Sequence, residues 1–383
     1  MISEKTKHVL IVAGEASADL HGSNLVTAIK KILPDIKIQG IGGDRMKDAG
    51  VDILISSSEM AVVGLTEVFS RLTSILKAQS LLKKILKIEK PDLLILIDYP
   101  DFNINLARFA KRFKVPVLYY ISPQVWAWRK GRIKKIARRV DRMAVILPFE
   151  KDLYTKTGLQ IDYVGHPLLD TIPGSLFNKG NQADIPAESA YPLIGLLPGS
   201  RENEIKRLLP LLIKTVEILL ARYKNLRCVI PVAPTISDDL IRSYTKNAAM
   251  DIRLSHENVY QSLKTCDAAL VASGTATLEV AAMNIPMVIV YQVSPISYWV
   301  ARMAVNVPFI GLVNLIAGEE VIPEYIQNNA KPKNIANELV SIIEDPARRS
   351  EMKMNLRKVI NMLGEGGASE KTAGIAIEMM LCH

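Results

Sequence analysis

Short apolar runs alternate with longer amphipathic stretches along most of the chain. Short, continuous apolar runs are typical of parallel strands buried on both faces, and the amphipathic stretches between them are typical of helices. The alternation therefore predicts an α/β fold of repeated βα units around parallel sheets. The predicted strands are 8–14, 36–42, 51–56, 92–98, 116–122, 142–148 and 162–166, followed by 193–199, 227–233, 251–257, 267–273 and 286–292.

A polar, turn-rich passage separates the two groups of strands. Residues 173–192, PGSLFNKGNQADIPAESAYP, show no hydrophobic periodicity, as is typical of a linker. We expect a first domain over 1–172 and a second over 173–344, each a Rossmann-like, doubly wound sheet, with the two domains facing a cleft. In such sheets, ligands bind beyond the carboxyl ends of the strands, where the strand order reverses.

Composition narrows the class of protein. The chain has 383 residues, 49% hydrophobic and 23% charged, which is typical of a globular protein with more than one core. No apolar run approaches the roughly 20 residues of a membrane-spanning helix, and the N-terminal apolar segment is too short for a secretory signal. The three cysteines, Cys228, Cys266 and Cys382, lack metal-ligand spacing. We expect a cytosolic protein without a metal site.

The charge balance points to an anionic partner. Lys and Arg number 48 against 39 Asp and Glu, which gives a net charge of +9. Nucleic acid, acidic lipid and phosphorylated substrates all fit such an excess. No G-x-x-x-x-G-K-[ST] motif is present, so a P-loop ATPase is not expected, and GIGGDRM (40–46) lacks the dinucleotide-binding spacing.

The first candidate site follows the predicted strand 267–273, in the segment ASGTATLE. The apolar run stops on small residues, and a helical pattern begins at once, at Thr275 or Ala276. The free N–H groups and the dipole of a helix start favour an anion, and a carboxylate one turn later can accept hydrogen bonds from ribose hydroxyls. An ordinary turn with a solvated Glu is the alternative. The candidates are Ser273, Gly274, Thr275, Ala276, Thr277 and Glu279.

A second junction of this kind lies in LLPGSRENEIK. Gly199 and Ser200 form a tight turn, and Arg201 stands at the start of the next helix. The helix dipole disfavours a cation there unless the cation faces an anion. A guanidinium can fork onto a diphosphate and offset the charge of a leaving group without a metal. A surface Arg balanced by Glu202 and Glu204 is the alternative, but two such turns in one domain favour a nucleoside diphosphate.

A third strand–turn–helix junction is VAGEASADLHGSNL (12–25). Gly14 leaves room for a ligand, and Glu15, Ser17 and Asp19 are placed to hold hydroxyl groups. Asp19 is also expected to cap a helix that begins near Asp19 or Leu20.

The very apolar strand 92–98 ends on Asp98, with Asp101 and Asn103 shortly after it. A carboxylate at the carboxyl end of a strand opens onto the cleft and suits a general base for an acceptor hydroxyl. An Asp that only forms the turn before a Pro is the alternative.

Two further segments suit a lipid surface. Segment 121–142 combines two Trp with eight basic residues between Arg129 and Arg142, and its apolar residues share one helical face. Such a helix fits an anionic membrane or RNA, and a core-facing helix with a solvated basic side is the alternative. Segment 60–88 has more apolar residues than one helical stripe needs, which suits acyl chains. The candidates are Val62, Val63, Leu65, Val68, Phe69, Leu72, Arg129, Lys130 and Arg132, with Trp126 towards the cleft.

Ten motifs, in order from about Val12 to Glu324, resemble those of the lipid-A-disaccharide synthase family, which are glycosyltransferases of the two-domain GT-B type. VWAWR and LLPGSR are the most specific, and the family usually has Gly where this chain has Ala18. The motifs are GEASAD, GIGGDRM, VGLTEV, IDYPDFN, SPQVWAWR, LPFE, VGHP, LLPGSR, ASGTATLE and NLIAGEEVIPE.

The resemblance implies an inverting, metal-independent transfer without a cofactor. UDP-2,3-diacylglucosamine gives its sugar to the 6-hydroxyl of 2,3-diacylglucosamine 1-phosphate, which yields the β-1,6-linked disaccharide 1-phosphate and UDP. The second domain would bind UDP, with Arg201 offsetting the leaving charge. The first would supply the base, for which we expect Asp98, with Glu15 as the rival. Gly14, Ser17, Asp101, Asn103, Trp126 and Asn314 are assigned to the acceptor and the cleft.

The resemblance also implies action at the cytoplasmic face of the inner membrane. A C-terminal helix at about 345–383 would return to the first domain or pack on a partner, since homodimers are known in the family. The parts played by His21 and His166 stay open.

Two alternatives stay open. A UDP-N-acetylglucosamine 2-epimerase shares this fold and much of the nucleotide site, but it needs neither surplus apolar surface nor a basic helix. A basic RNA- or membrane-binding protein would account for the net charge of +9 but not for three anion-ready turns. We expect no nucleic-acid partner.

Overall fold

The chain folds into two compact units. The computed structural model describes residues 6–60, 68–126, 131–172, 192–294 and 307–382. The first unit comprises Met1–Asp170 and Leu363–His383, and the second comprises Thr171–Met362. The linker predicted at 173–192 lies outside the described residues, except for its last residue.

The first unit is built on a parallel sheet. Its strands are β1 (His8–Ala13), β2 (Lys37–Gly42), β3 (Asp52–Ser56), β4 (Leu93–Ile97), β5 (Val117–Tyr120), β6 (Arg142–Val145) and β7 (Gln160–Tyr163). All neighbouring pairs are parallel in the order β3-β2-β1-β4-β5-β6-β7, so the order reverses between β1 and β4. Its helices in this part of the chain are α1 (Ala16–Ile32), α2 (Asp44–Asp48), α3 (Ser57–Met60), α4 (Val68–Ile88), α5 (Pro100–Arg112), α6 (Arg132–Ala137), α7 (Glu150–Tyr154) and α8 (Leu168–Thr171).

The second unit repeats the plan around a smaller parallel sheet. Its strands are β8 (Leu193–Leu197), β9 (Arg227–Pro231), β10 (Asp251–Ser255), β11 (Ala268–Ala272), β12 (Met287–Tyr291) and β13 (Glu324–Ile326). Their order is β10-β9-β8-β11-β12-β13, which reverses between β8 and β11. Its helices are α9 (Glu202–Leu219), α10 (Asp238–Thr245), α11 (Val259–Leu263), α12 (Ala276–Ala282), α13 (Leu312–Ala317), α14 (Pro332–Glu344) and α15 (Pro346–Met362).

The hydrophobic pattern predicts this architecture well. Each of the twelve predicted strands overlaps an observed strand, and the two doubly wound parallel sheets confirm the α/β fold. The pattern missed β13, because its three residues are only half-buried at the sheet edge and form no apolar run. Short edge strands of this kind carry little sequence signal.

The start of α1 differs from the prediction. The helix begins at Ala16 with Glu15 as its N-cap residue, three residues before the predicted start near Asp19. The Asp19 carboxylate instead accepts hydrogen bonds from the backbone N–H groups of Gly43 and Met46, at 2.6 and 3.2 Å. Asp19 therefore fixes the loop that leads into α2, and the prediction that it caps its own helix was wrong.

The central strands are buried on both faces. All five side chains of β4 are fully buried. Ile95 and Ile97 pack in a core with α1, whereas Leu94 and Leu96 pack in a core with α4 and α5. Burial of each such side chain contributes roughly 1.5–3 kcal/mol, so both layers of helices are needed to keep the sheet folded.

Residues 345–383 form two helices instead of the single expected one. The first, α15, belongs to the second unit. The second, α16 (Ala368–Leu381), packs in the core of the first unit beside α1. Gly366 and Gly367, with φ of +78° and +72°, make the turn before α16, in a backbone region that glycine adopts without steric cost.

Asp170 anchors the start of α16. Its carboxylate accepts hydrogen bonds from the backbone N–H groups of Gly367 and Ser369, at 2.7 and 3.2 Å, and from the Ser369 hydroxyl at 3.2 Å. These are N–H groups that a helix start leaves without intrahelical partners. A side chain distant in sequence thus caps α16 and ties it to the first unit.

Replacing Asp170 by Ala is expected to destabilise the first unit by about 1–2 kcal/mol, because the cap of α16 is lost. Urea unfolding followed by tryptophan fluorescence measures the change. The control is Asp48→Ala, which removes a carboxylate from an exposed position in α2 and should change stability by less than about 0.5 kcal/mol. Equal effects of the two variants would contradict the capping role.

Candidate functional site

The candidate residues gather at the two points where strand order reverses. In the first unit, β1 leads into Gly14 and Glu15, and the neighbouring β4 leads into Asp98. In the second unit, β8 leads into the 198–201 turn, and β11 leads into the 273–275 turn. Open parallel sheets bind ligands at such positions, since the two loops diverge there and leave a crevice. Each unit therefore carries its own half-site.

The turn after β4 has an unusual backbone. Asp98 and Tyr99 both adopt left-handed conformations, with φ of +46° and +44°. A non-glycine residue in this region costs on the order of 1–3 kcal/mol and persists only where surrounding contacts enforce it. Lys90, Lys114 and Ile121 of the first unit also have positive φ, but among the described non-glycine residues only Asp98 and Tyr99 are consecutive. Strain of this kind concentrates at functional sites.

Four hydrogen bonds enforce the turn. The Asp98 carbonyl accepts from the Tyr119 hydroxyl at 2.5 Å and from Asn103 Nδ2 at 2.7 Å. The backbone N–H of Asn103 donates to the Tyr99 carbonyl at 3.1 Å, and the backbone N–H of Asp98 donates to the Tyr120 carbonyl at 3.3 Å. The Asn103 side chain is fully buried. It was predicted to contact the acceptor, but its geometry assigns it to holding Asp98.

Electrostatics favour a protonatable Asp98. The pKa of this carboxyl is raised from 3.8 to about 6, mainly by burial and also by the charge of Glu15, while a hydrogen bond from the Tyr99 backbone opposes the rise. Burial disfavours the charged form, and a nearby like charge does the same. The result is a carboxylate that is ionised at neutral pH yet basic enough to take a proton.

Asp98 opens onto a cavity of about 430 Å³. Asp101, exposed at the first turn of α5, forms an ion pair with Arg132 at the rim of this cavity. The other lining residues are Pro100, Pro123, Gln124 and Val125. The structure thus brings the predicted Asp98, Asp101 and Arg132 together, which the sequence placed in two separate segments.

The loop after β1 is shaped by a close contact. A Cβ at Gly14 would lie 2.6 Å from the Tyr99 ring, so only glycine fits there. Glu15 and Ser17 are exposed at the start of α1, where they are free to meet a ligand. Ala18 is buried in the core of the first unit. Its methyl group therefore packs inward and takes up no space on the exposed side of this loop.

Glu150 belongs to this half-site although sequence analysis did not select it. Its carboxylate is almost fully buried and accepts hydrogen bonds from the backbone N–H groups of Ile146 and Leu147, at 3.2 and 3.0 Å. Burial raises its pKa to about 7, and the charge of Asp98 contributes to the rise. Trp126, predicted in the cleft, is buried against Phe149 in an edge-to-face contact. The motif LPFE was the available signal for Glu150.

In the second unit, the turn at 198–201 is closed by a side chain of its own. The Glu204 carboxylate accepts hydrogen bonds from the backbone N–H groups of Ser200 and Arg201, at 3.0 and 3.2 Å. Gly199 has a φ of +116°, and a Cβ there would lie 2.2 Å from that carboxylate. The Arg201 side chain forms a long ion pair with Glu204, at 3.9 Å, as the alternative of a balanced surface Arg predicted, but it remains 78% exposed. The guanidinium is therefore the part of this turn that is open to an anion.

The turn after β11 leads into α12 as predicted, with the helix beginning at Ala276. Gly274 has a φ of +152° and open space where a Cβ would lie. Thr277 is buried and donates its hydroxyl proton to the Gly274 carbonyl at 2.7 Å, so it shapes the turn from inside. Burial raises the pKa of Glu279. Thr275 is exposed at the mouth of the turn.

A carboxylate network supports this turn from behind. The Ser273 hydroxyl donates to the Ile310 carbonyl at 3.0 Å. Glu324 accepts from the backbone N–H groups of Ile310 and Gly311, each at 2.9 Å, and from Asn314 Nδ2 at 2.8 Å. Asn314 is fully buried and also bonds the backbone of residues 321 and 322. All hydrogen-bonding groups of the Asn314 side chain have partners within the protein. Asn314 therefore supports the turn and does not contact the acceptor as predicted.

The proposed membrane residues are only partly described. Val62, Val63, Leu65, Arg129 and Lys130 lie outside the described residues, and Val68, Phe69 and Leu72 belong to the first turns of α4. In its described part, the basic segment forms the short helix α6, whose Ile136 is fully buried. This supports the alternative of a core-facing helix with a solvated basic side. Within the described ranges, no helix is long and apolar enough to cross a bilayer.

His21 and His166 are neutral side chains in the first unit. Burial lowers the pKa of His21 to about 4 and that of His166 to about 3. His166 Nδ1 accepts a hydrogen bond from the Leu168 backbone N–H at 3.1 Å. Neither ring offers a positive charge to a phosphate at neutral pH. Among the side chains that the structure describes, no group of three His, Cys, Asp or Glu has the arrangement of a metal site.

Comparison with known proteins supports one family. Residues 9–378 match the family model described as lipid-A-disaccharide synthetase. The lipid-A-disaccharide synthase of Geobacter metallireducens is 46% identical over 374 residues, which cover 98% of this chain and 97% of that protein. The enzyme of the same name from Syntrophus aciditrophicus is 46% identical over 376 residues, which cover 98% of each chain.

Solved structures show the same fold at low sequence identity. A UDP-GlcNAc 2-epimerase from Neisseria meningitidis superposes with a TM-score of 0.58 at 14% identity and covers 99% of this chain and 100% of its own. The kitacinnamycin glycosyltransferase superposes with a TM-score of 0.61 at 13% identity, covering 98% and 100%. The two-sheet fold is thus shared by an epimerase and a glycosyltransferase, and it identifies the architecture alone.

Replacing Asp98 by Asn is expected to stabilise the protein at pH 8, by about 1–3 kcal/mol. The folded state holds the Asp98 proton more tightly than the unfolded chain, because its pKa is raised to about 6. As the pH rises from about 4 to about 6, ionisation of Asp98 therefore lowers the free energy of unfolding progressively. Above pH 6 this destabilisation is complete. Thermal unfolding at pH 8 and pH 4 should show a higher midpoint for the variant at pH 8 only.

Asp101→Asn is the matched control, because Asp101 is exposed and its surface ion pair is worth at most about 1 kcal/mol. This variant should not raise the unfolding midpoint at pH 8. A lower midpoint for Asp98→Asn at pH 8 would contradict the buried, strained environment assigned to this carboxyl.

Proposed function

The chain belongs to the lipid-A-disaccharide synthetase family, and from this membership we propose how its residues perform the transfer. As a member of this family it is a glycosyltransferase that acts in lipid A biosynthesis and forms the lipid A disaccharide. The donor is proposed to be UDP-2,3-diacylglucosamine and the acceptor 2,3-diacylglucosamine 1-phosphate. Both substrates are anionic, in keeping with the chain's net charge of +9.

Asp98 is the proposed general base. Its carboxylate takes the proton of the acceptor 6-hydroxyl while that oxygen attacks the anomeric carbon of the donor. The bond from the anomeric carbon to the UDP oxygen breaks, UDP leaves with the bonding electron pair, and the configuration at the carbon inverts. The observation that carries this assignment is the raised pKa of a carboxyl held at the strand-order switch, on the wall of the 430 Å³ cavity.

Glu15 is the rival base, and its surroundings favour a different part. It is exposed at the N-cap of α1, whereas Asp98 is largely withdrawn from water and fixed by hydrogen bonds to its main chain. A base positioned before the substrate arrives loses less freedom in the transition state. Glu15 raises the pKa of Asp98 by its charge and is free to orient acceptor hydroxyls.

The donor diphosphate is proposed to bind at the second half-site. The exposed Arg201 guanidinium supplies a bidentate donor for phosphate oxygens. Glu279, half-buried in α12, is placed to accept hydrogen bonds from the ribose hydroxyls. With Arg201 offsetting the charge that develops on UDP, we propose that the transfer needs no metal ion.

An anionic membrane surface is the proposed location of the enzyme, at the cytoplasmic face of the inner membrane. Helix α4 carries no Asp or Glu, and its solvent side exposes Leu76, Leu81 and Ile88, by 56%, 38% and 65%. Lys77 and Lys84 are exposed on the same helix. A helix that presents leucines and lysines to solvent suits the boundary of an acidic bilayer, where the acylated substrates reside.

Purified protein is expected to form the disaccharide from the two acylated substrates in detergent with EDTA present, with release of UDP. Asp98→Asn should lower kcat by at least about a thousandfold, because the proton acceptor is lost, and Glu15→Gln should lower it much less. Product and UDP are measured by thin-layer chromatography with a radiolabelled donor.

Each outcome of this assay has a separate meaning. Activity that survives Asp98→Asn but not Glu15→Gln would transfer the role of base to Glu15. Activity that EDTA abolishes and magnesium restores would refute the metal-free proposal. Turnover of UDP-N-acetylglucosamine without transfer to the acylated acceptor would favour the 2-epimerase alternative.

The double variant Lys77→Glu/Lys84→Glu is expected to bind acidic vesicles at least about tenfold more weakly, because each Lys near such a surface contributes about 1 kcal/mol. Sedimentation with phosphatidylglycerol-containing vesicles measures the binding. The control is Lys214→Glu/Lys333→Glu, the same charge change at exposed positions of the second unit. Equal losses in the two variants would reveal a response to net charge alone and contradict the assignment of α4.

A further inference from the structure

We infer that Tyr119 and Asn103 are positioning residues for the transfer, and that they act by holding the main chain of Asp98 so that its carboxylate faces the acceptor. The inference rests on the proposed role of Asp98 as the base. It adds to the site two side chains that touch neither substrate. Their hydrogen bonds hold the catalytic group in place, as supporting residues do in other active sites.

The two side chains converge on one atom. The Tyr119 hydroxyl and Asn103 Nδ2 both donate to the Asp98 carbonyl oxygen, at 2.5 and 2.7 Å, and Asn103 Nδ2 also lies 3.2 Å from the Ile97 carbonyl. With both donors on its carbonyl, Asp98 cannot rotate its peptide without leaving buried polar groups unpaired. Tyr119 is fully buried, which raises its pKa well above 10, so it keeps its proton and donates at every working pH.

The conformation that they hold is one that Asp98 does not adopt by itself. Two consecutive non-glycine residues, Asp98 and Tyr99, have positive φ, and such a backbone relaxes towards the common regions when its restraints are removed. The same conformation lays the Tyr99 ring against Gly14, next to Glu15. Tyr119 and Asn103 thus form a clamp on the main chain of Asp98. This clamp sets the burial of Asp98 and its separation from Glu15, which are the two causes of its raised pKa.

The neighbouring Tyr120 provides a matched control. Tyr119 and Tyr120 are consecutive in β5 and both fully buried, but they pack in the cores on opposite faces of the sheet. Of these two tyrosines, Tyr119 is the one whose side chain donates to the Asp98 carbonyl. The contact of Tyr120 with this turn is made by its main chain, which a substitution to Phe leaves unchanged.

Tyr119→Phe removes one oxygen atom and no apolar surface. We expect kcat to fall at least about tenfold while KM for either substrate changes less than about threefold, because the base is misplaced and the binding groups are intact. The acid limb of the pH profile of kcat/KM should move to lower pH, because a relaxed Asp98 is less buried and lies farther from Glu15. The control variant Tyr120→Phe should leave the acid limb of the kcat/KM profile unchanged.

A purely structural role for Tyr119 would lower the amount of active enzyme but would not move the limb, and an unmoved limb would therefore overturn the inference. Asn103→Leu removes the second donor with little change in side-chain volume, and it should move the limb in the same direction. If only one of these variants folds, that variant decides the question.

A measurement without turnover separates this inference from the proposed reaction. The pKa of Asp98 can be followed by 13C NMR in protein labelled at aspartate Cγ, with Asp98→Asn used to assign the resonance. The pKa should fall in Tyr119→Phe and stay unchanged in Tyr120→Phe. An unchanged pKa in Tyr119→Phe refutes the clamp even if the enzyme is active, whereas a lowered pKa in a protein that forms no disaccharide supports the clamp and refutes the reaction.

Discussion

Parallel pairing of β1 with β4 is the constraint on which the rest of the molecule depends. The pairing runs in register from Val9 opposite Leu93 to Ala13 opposite Ile97. The segments that follow β1 and β4 therefore leave the sheet side by side and in the same direction. Their next elements must diverge to opposite faces, since both faces of the strands are apolar and need a layer of helices. The crevice at Asp98 is the result of this divergence. The pair β8 and β11 creates the second crevice in the same way.

The sequence predicts this frame because its physical cause is local. The uninterrupted apolar run LLILI and its counterparts can only be buried strands when they alternate with amphipathic stretches. The positions of Asp98, Arg201 and the Ser273 turn follow from the frame, because each comes directly after such a run. The positions of the residues that support these site residues do not follow from the frame. Tyr119 and Asn103 appear in the sequence as ordinary core and helix positions, and their bonds to Asp98 depend on a pairing between distant segments.

Carboxylates bonded to backbone N–H groups are the part of the structure that sequence analysis did not foresee: it misassigned Asp19 and gave no such role to the others. Asp19, Asp170, Glu204 and Glu324 each hold a loop that is not part of their own helix turn or that lies before it. In the sequence, such an acid is indistinguishable from a ligand-binding or solvated one, because the same oxygen atoms accept either kind of donor. Which donors a carboxylate meets is decided by tertiary contacts. The two half-sites are accordingly built on acids that bind the protein as well as acids left free for substrate.

The return of α16 to the first unit has a consequence for how the protein is made. This helix supplies part of the core on one face of the N-terminal sheet, yet it follows the whole second unit in the chain. During synthesis, the first strands to leave the ribosome therefore wait with an incomplete apolar layer until nearly the last residues emerge, while the second unit can already close its own sheet. The unit that is translated first is therefore the one whose core is completed last.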